Sequence, residues 1–138
     1  MKTLSEINIG ERLEVILDPV SRMDLIKYSG ASGDFNPIHT VDAEAAKAGL
    51  PGIIAHGMWT MGNLAKLFTP YYDEGFIEDY QIRFSGMVFI DDVITLRASA
   101  EREENDSIYF AVHAINQKGQ PVLKGKVKFS KYCINKVE

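Results

Sequence analysis

Hydrophobic and polar positions along the chain change period near its middle. In the first half, Leu13, Val15 and Ile16 form a short apolar run that Asp18-Pro19 stops, because proline lacks a ladder donor and restricts the residue before it. This predicts a first strand. A helix follows from Ser21: Ser21 and Asp24 have capping-box spacing, and Val20 and Leu25 stand at the two positions of a hydrophobic staple. That helix is expected to reach about Tyr28. Gly30, Gly33, Asn36 and Pro37 then interrupt the period, predicting a tight loop from Gly30 to Thr40. Asp42 is placed to cap a short alanine-rich helix running through Ala48, with Gly49 at its end and Pro51 blocking continuation.

The stretch HGMWTMGNLAKLF, beginning at His56, is apolar around most of a helical wheel, which predicts a central helix buried on nearly every side. Met58, Trp59, Met61 and Phe68 are read as its core residues, although an acyl tunnel could be lined by the same side chains. From Tyr80 the period becomes two. Tyr80, Ile82 and Phe84 alternate with polar neighbours, as do Ile94, Leu96 and Ala98. Strands over 108–115 and 122–129 follow, with turns at Asn105-Asp106 and Lys118-Gly119, so the second half reads as an antiparallel meander. One apolar helix and strands long enough to curl around it predict a single α+β domain over residues 1–138.

Composition narrows the function. A net charge of -4 opposes a general nucleic-acid surface, and Lys124, Lys126 and Lys128 alternate as one solvated strand face would. No apolar run has the length of a signal peptide or a membrane span, so a soluble, cytoplasmic protein without membrane association is expected. The lone Cys133 excludes an intrachain disulfide, and His39, His56 and His113 are scattered along the chain, so no metal site is expected.

Candidate chemistry concentrates in two places. Asp34 and His39, five positions apart around Pro37, cannot share a regular helical face but can converge across a tight loop as an acid–base pair, with Asn36 holding the carboxylate. The alternative is that Asp34 and Asn36 only close an Asx-type turn while His39 fills a polar corner. Gly57, at the start of the central helix, offers a backbone N–H where an anion is favoured, or else is a turn glycine. His56 is expected to bond nearby backbone and start that helix instead of taking part in catalysis.

The string YSGASGDFNPIH, from Tyr28 to His39, resembles the G-D-x-N-P-[IL]-H loop of MaoC-like hydratases and dehydratases. AHGMWTMG and YQIRF resemble that family's central helix and the strand after it. The resemblance implies a hot-dog fold and reversible hydration of trans-2-enoyl thioesters to (3R)-3-hydroxyacyl thioesters. It assigns Asp34 and His39 as the catalytic pair, Asn36 as an orienting residue and the Gly57 N–H as oxyanion donor. It implies no cofactor, a substrate carried on coenzyme A or acyl carrier protein, and a homodimer, or a heterodimer with a related subunit in which this chain is catalytic. One departure is visible: Gly62-Asn63-Leu64-Ala65 lacks a serine that some (R)-specific enoyl-CoA hydratases carry farther along this helix. A hot-dog thioesterase and a non-catalytic acyl-thioester-binding subunit are the alternatives.

Overall fold

A computed structural model describes residues 3–133; residues 1–2 and 134–138 of the expected domain lie outside this range. The elements are strand β1 (Arg12–Ile16), helices α1 (Arg22–Ser32), α2 (Asp42–Lys47) and α3 (Gly57–Leu64), and strands β2 (Gly75–Phe84), β3 (Thr95–Glu104), β4 (Ser107–Ile115) and β5 (Pro121–Lys131). The five strands form one sheet in the order β1-β3-β4-β5-β2, every neighbouring pair antiparallel. The fold is α+β, of the hot-dog type, with the sheet curled over α3 and its 3-10 continuations. No helix among the described residues is long and apolar enough to cross a membrane.

Local signals account for most of these elements. The Ser21 hydroxyl accepts from the Asp24 N–H at 3.1 Å, while the Asp24 carboxylate accepts from the Ser21 N–H at 3.0 Å. Leu96, Ala98 and Ala100 of β3 and Phe110, Val112 and Ala114 of β4 are buried, as period-two alternation requires on a half-covered sheet. Asn105 and Asp106, with φ of 50° and 63°, close the β3–β4 hairpin in the left-handed conformation that such two-residue turns need.

Helix α1 continues past Tyr28 to Ser32, because Gly30 is tolerated in its last turns and the stop comes at Gly33, with φ of 80°. Accordingly, only a short irregular stretch separates α1 from a 3-10 turn at Pro37–His39. Val41, and not Asp42, is the cap of α2; Asp42 is its first helical residue. The strands do not form a simple meander: β3, β4 and β5 follow one another, but β2 lies outside β5 at the sheet edge. Strand β2 also starts at Gly75, with a bulge between Ile77 and Asp79 that resets the period and hides its first residues from a period-two reading.

Helix α3 is not buried all round, contrary to expectation. Thr60 and Leu64 are buried, and Phe68 just beyond is fully buried, but Trp59 and Met61 are half-buried and Met58 is 54% exposed. The helix is only 8 residues long before it tightens into 3-10 turns, so in a single chain the sheet covers one side. Tyr80 reaches from β2 to donate a hydrogen bond to the Met61 carbonyl, anchoring the helix to the edge strand; burial, with Tyr72 nearby, pushes its phenol well above the usual range.

Strands β5 and β2 approach closely at Gly125, where a Cβ would lie 1.8 Å from the Gln81 carbonyl oxygen. No rotamer change relieves a clash with backbone, so Gly125→Ala is expected to destabilise the protein by about 3 kcal/mol. Urea unfolding measures this, and Gly119→Ala, which meets no neighbour within 4 Å and carries only the backbone strain of its φ of 74°, is the companion expected to cost less, about 1 kcal/mol.

Candidate functional site

The site grows from a run of side-chain-to-backbone bonds, each spanning two residues. The Asp34 N–H donates to Ser32 Oγ at 3.1 Å, the Asn36 N–H to Asp34 Oδ1 at 3.2 Å, and the Ile38 N–H to Asn36 Oδ1 at 3.2 Å. Pro37, fixed near helical φ and lacking an N–H, opens the 3-10 turn that Asn36 caps. Thus the Asx turns exist, and they position the acid. It is the backbone of Asn36 that holds the carboxylate, while its side chain serves the turn. Asp34 Oδ2 is left facing His39 Nε2 at 3.9 Å.

His39 is buried, whereas the Asp34 side chain is 52% exposed, so the pair spans the boundary between interior and solvent. His39 Nδ1 lies 2.6 Å from the carbonyl oxygen of Ile54, which can only accept. The Nδ1 proton is therefore committed, and the neutral imidazole presents a lone pair at Nε2. The separation from Asp34 is too long for a direct hydrogen bond, but two bonds of about 2.8 Å can meet across it.

His56 lies closer to this pair than chain spacing suggests. Its ring stacks on that of His39, with centroids 3.8 Å apart and planes inclined by 25°, and Tyr28 meets its edge at 4.7 Å. Nε2 lies 3.2 Å from the Asp34 carbonyl oxygen and 3.1 Å from Ser29 Oγ. His56 bonds nearby backbone as expected, but that backbone belongs to the catalytic candidate, and its side chain makes no cap bond to α3. Burial lowers the His56 pKa below its usual 6.5; the Asp34 carbonyl opposes this and the nearby His39 reinforces it. His56 Nδ1 is buried without a hydrogen-bond partner among the described residues.

The histidines are thus not all scattered: Asp34, His39 and His56 each bring one potential ligand atom within 4.8 Å of the others. Stacked rings carry their in-plane lone pairs side by side, and His39 Nδ1 is already engaged, which is a poor arrangement for converging on one ion. His113 lies apart, on β4. Gly57, adjoining His56, is the first residue of α3 and so has an N–H with no intrahelical acceptor. An added Cβ there would meet the Phe84 ring at 3.1 Å. Ser29, Ile54 and Phe84 are not assigned to the site by the sequence; Ser29 lies inside the loop string and Phe84 ends YQIRF, but nothing in a sequence marks the Ile54 carbonyl.

The MaoC like domain family model matches residues 6–118. The chain belongs to this family. The MaoC-like domain is 31% identical over 110 residues to fatty acid synthase subunit beta of Aspergillus oryzae, covering 77% of this chain and 5% of that protein. It is 41% identical over 68 residues to the peroxisomal hydratase-dehydrogenase-epimerase of Saccharomyces cerevisiae, 49% of this chain and 7% of the relative. The chain therefore spans only a small part of these relatives. Among solved structures it resembles the unliganded R-hydratase PhaJ1 from Pseudomonas aeruginosa, with a TM-score of 0.85 and 22% identity over 97% of this chain and 90% of the other. That likeness is one of fold.

The lowered His56 pKa sets a stability prediction. Unfolded, the imidazole protonates near 6.5; folded, it resists, so acidification favours the unfolded chain. The stabilisation is full above 6.5 and is lost as pH falls through that value toward the folded pKa. His113, lowered by burial and by Arg97 and Arg12, acts in the same direction. Urea midpoints should fall between about pH 7.5 and about pH 5.5, a window above ordinary carboxylate titration. His56→Gln should flatten that dependence, and an unchanged slope would count against the assignment.

Proposed function

We propose that this MaoC-like domain catalyses reversible hydration of trans-2-enoyl thioesters to (3R)-3-hydroxyacyl thioesters, with Asp34 and His39 as a joint acid–base pair. The observation that carries this reading is the fixed His39 tautomer: Nδ1 is committed to Ile54, and the basic Nε2 faces Asp34 Oδ2 across 3.9 Å. One water can contact both groups. In hydration, one member of the pair takes a proton from that water as its oxygen bonds to C3, and a proton is delivered to C2 of the resulting enolate. Dehydration reverses the steps. The acid and base roles are assigned to the pair jointly and not to its individual members.

Attack at C3 moves negative charge onto the thioester oxygen, so a donor aimed there lowers the barrier. The Gly57 N–H is the proposed donor, favoured by its place at the start of α3 and by a side chain too small to obstruct the carbonyl. Asn36 orients the loop through its cap on Ile38. The substrate is proposed to be carried on coenzyme A or acyl carrier protein. A homodimer or a heterodimer with a related subunit is proposed as the working unit; edge strand β2 exposes Phe76 and Phe84 at 43% and 48%, which suits pairing with another sheet.

The decisive assay follows loss of enoyl absorbance with crotonyl-CoA and determines the configuration of the product. An (R)-3-hydroxy product is expected, with Asp34→Asn and His39→Ala each lowering kcat by about 100- to 10,000-fold. Activity unaffected by both substitutions, or release of free thiol as the only reaction, would overturn the proposal.

Gly57 permits a paired test of the oxyanion donor. His56 has ψ of 136°, compatible with a following proline, and proline is tolerated at the first helical position. Gly57→Ala adds the Cβ contact with Phe84 but keeps the N–H, whereas Gly57→Pro removes it. The proline variant should be slower than the alanine variant by about 100-fold or more in kcat; equal rates would remove Gly57 from the mechanism.

A further inference from the structure

The outward face of the sheet, opposite the packed face, carries positive charge that the chemistry above does not use. Register aligns Arg97 of β3 with His113 of β4, His113 with Lys124 of β5, and Lys124 with Arg83 of β2. A second row sets Ala111 beside Lys126 and Lys126 beside Gln81. The long side chains of Arg83, Lys124, Lys126 and Gln81, with His113, wall a groove of about 820 Å3, and small Ala111 leaves its floor open. At about 4.8 Å per strand the first row spans about 14 Å, the scale of a small molecule.

Elsewhere on this sheet cations are paired. Lys128 meets Glu78 at 3.0 Å, Lys131 meets Glu103 at 2.8 Å, and Arg97 meets Glu14 at 2.8 Å, with Arg12 3.8 Å from the same carboxylate. Arg83, Lys124 and Lys126 have no ion-pair partner among the described residues. The nearest acid along β2, Asp79, accepts from Gln81 at 2.8 Å. Like charges directly opposite one another in a sheet are destabilising, and this chain, with net charge -4, keeps Arg83 opposite Lys124.

We propose that this groove is a second ligand site, separate from the Asp34–His39 pair, that binds a small molecule bearing a diphosphate group. The guanidinium of Arg83 matches phosphate oxygens in a planar fork, while Lys124 and Lys126 supply point charges about two residues apart along one strand. A bound diphosphate relieves the repulsion across β5 and β2. His113 reports on it from the groove wall: burial, then Arg97 on β3 and Arg12 on β1, hold its pKa down, and Lys124 lies opposite it on β5.

The test follows the His113 ring by NMR across pH in the full chain, with inorganic pyrophosphate as probe and with chloride or citrate at matched ionic strength. Pyrophosphate should raise the His113 pKa by about half a unit or more, saturably, while the controls do less. Arg83→Gln/Lys124→Gln should abolish the saturable shift, with His39 and His56 resonances unchanged as evidence of intact folding. No shift, an equal shift with chloride or citrate, or an undiminished response in the folded double variant would each overturn the proposal.

Discussion

Ile54 ties together the parts on which the site depends. Its N–H donates to the Ile38 carbonyl at 3.2 Å, its own carbonyl accepts from His39 Nδ1, and it bridges Phe89 in the segment that leads into β3. The next residue, Ala55, donates to the Val88 carbonyl at 2.8 Å, and His56 follows as the start of α3. One extended stretch thereby fixes the loop carrying the acid, the orientation of the histidine and the beginning of the helix. A neutral imidazole has one proton to place, and Ile54 decides where it goes.

Around this tie the site is shielded unequally. His39 and His56 lie inside and stack, whereas Asp34 reaches solvent. His56 connects the two environments because it touches the ring of one candidate and the backbone of the other. Burial favours the neutral form of His56, and the His39 ring stacked against it works in the same direction.

Much of this was legible wherever a local rule and the global packing agree. Ser21 and Asp24 mark the start of α1, Asn105-Asp106 marks a hairpin, and alternation in β3 and β4 identifies the packed face because that face alone is covered. The loop string by itself points to Asp34 and His39. Failures occurred where tertiary contact overrides local preference: Gly30 inside a helix, the bulge in β2, and a central helix whose apolar far side a lone chain leaves open. The Ile54 carbonyl was beyond reach altogether, since every residue has one and only folding selects it. Spacing also could not reveal that His56, 17 positions after His39 in the sequence, would lie flat against it.

The loop before His39 has a further property. Ser32, Asp34 and Asn36 each hold the backbone two residues ahead, so each residue is both held and holder. Such a chain of dependencies behaves as a ruler with fixed divisions. Adding or removing one residue between Ser32 and His39 would break the succession and rotate every later side chain away from its mark, whereas the size of Phe35, outside the succession and 70% exposed, is not set by these bonds. Evolution can therefore change what the loop displays to solvent far more readily than it can change the loop's length.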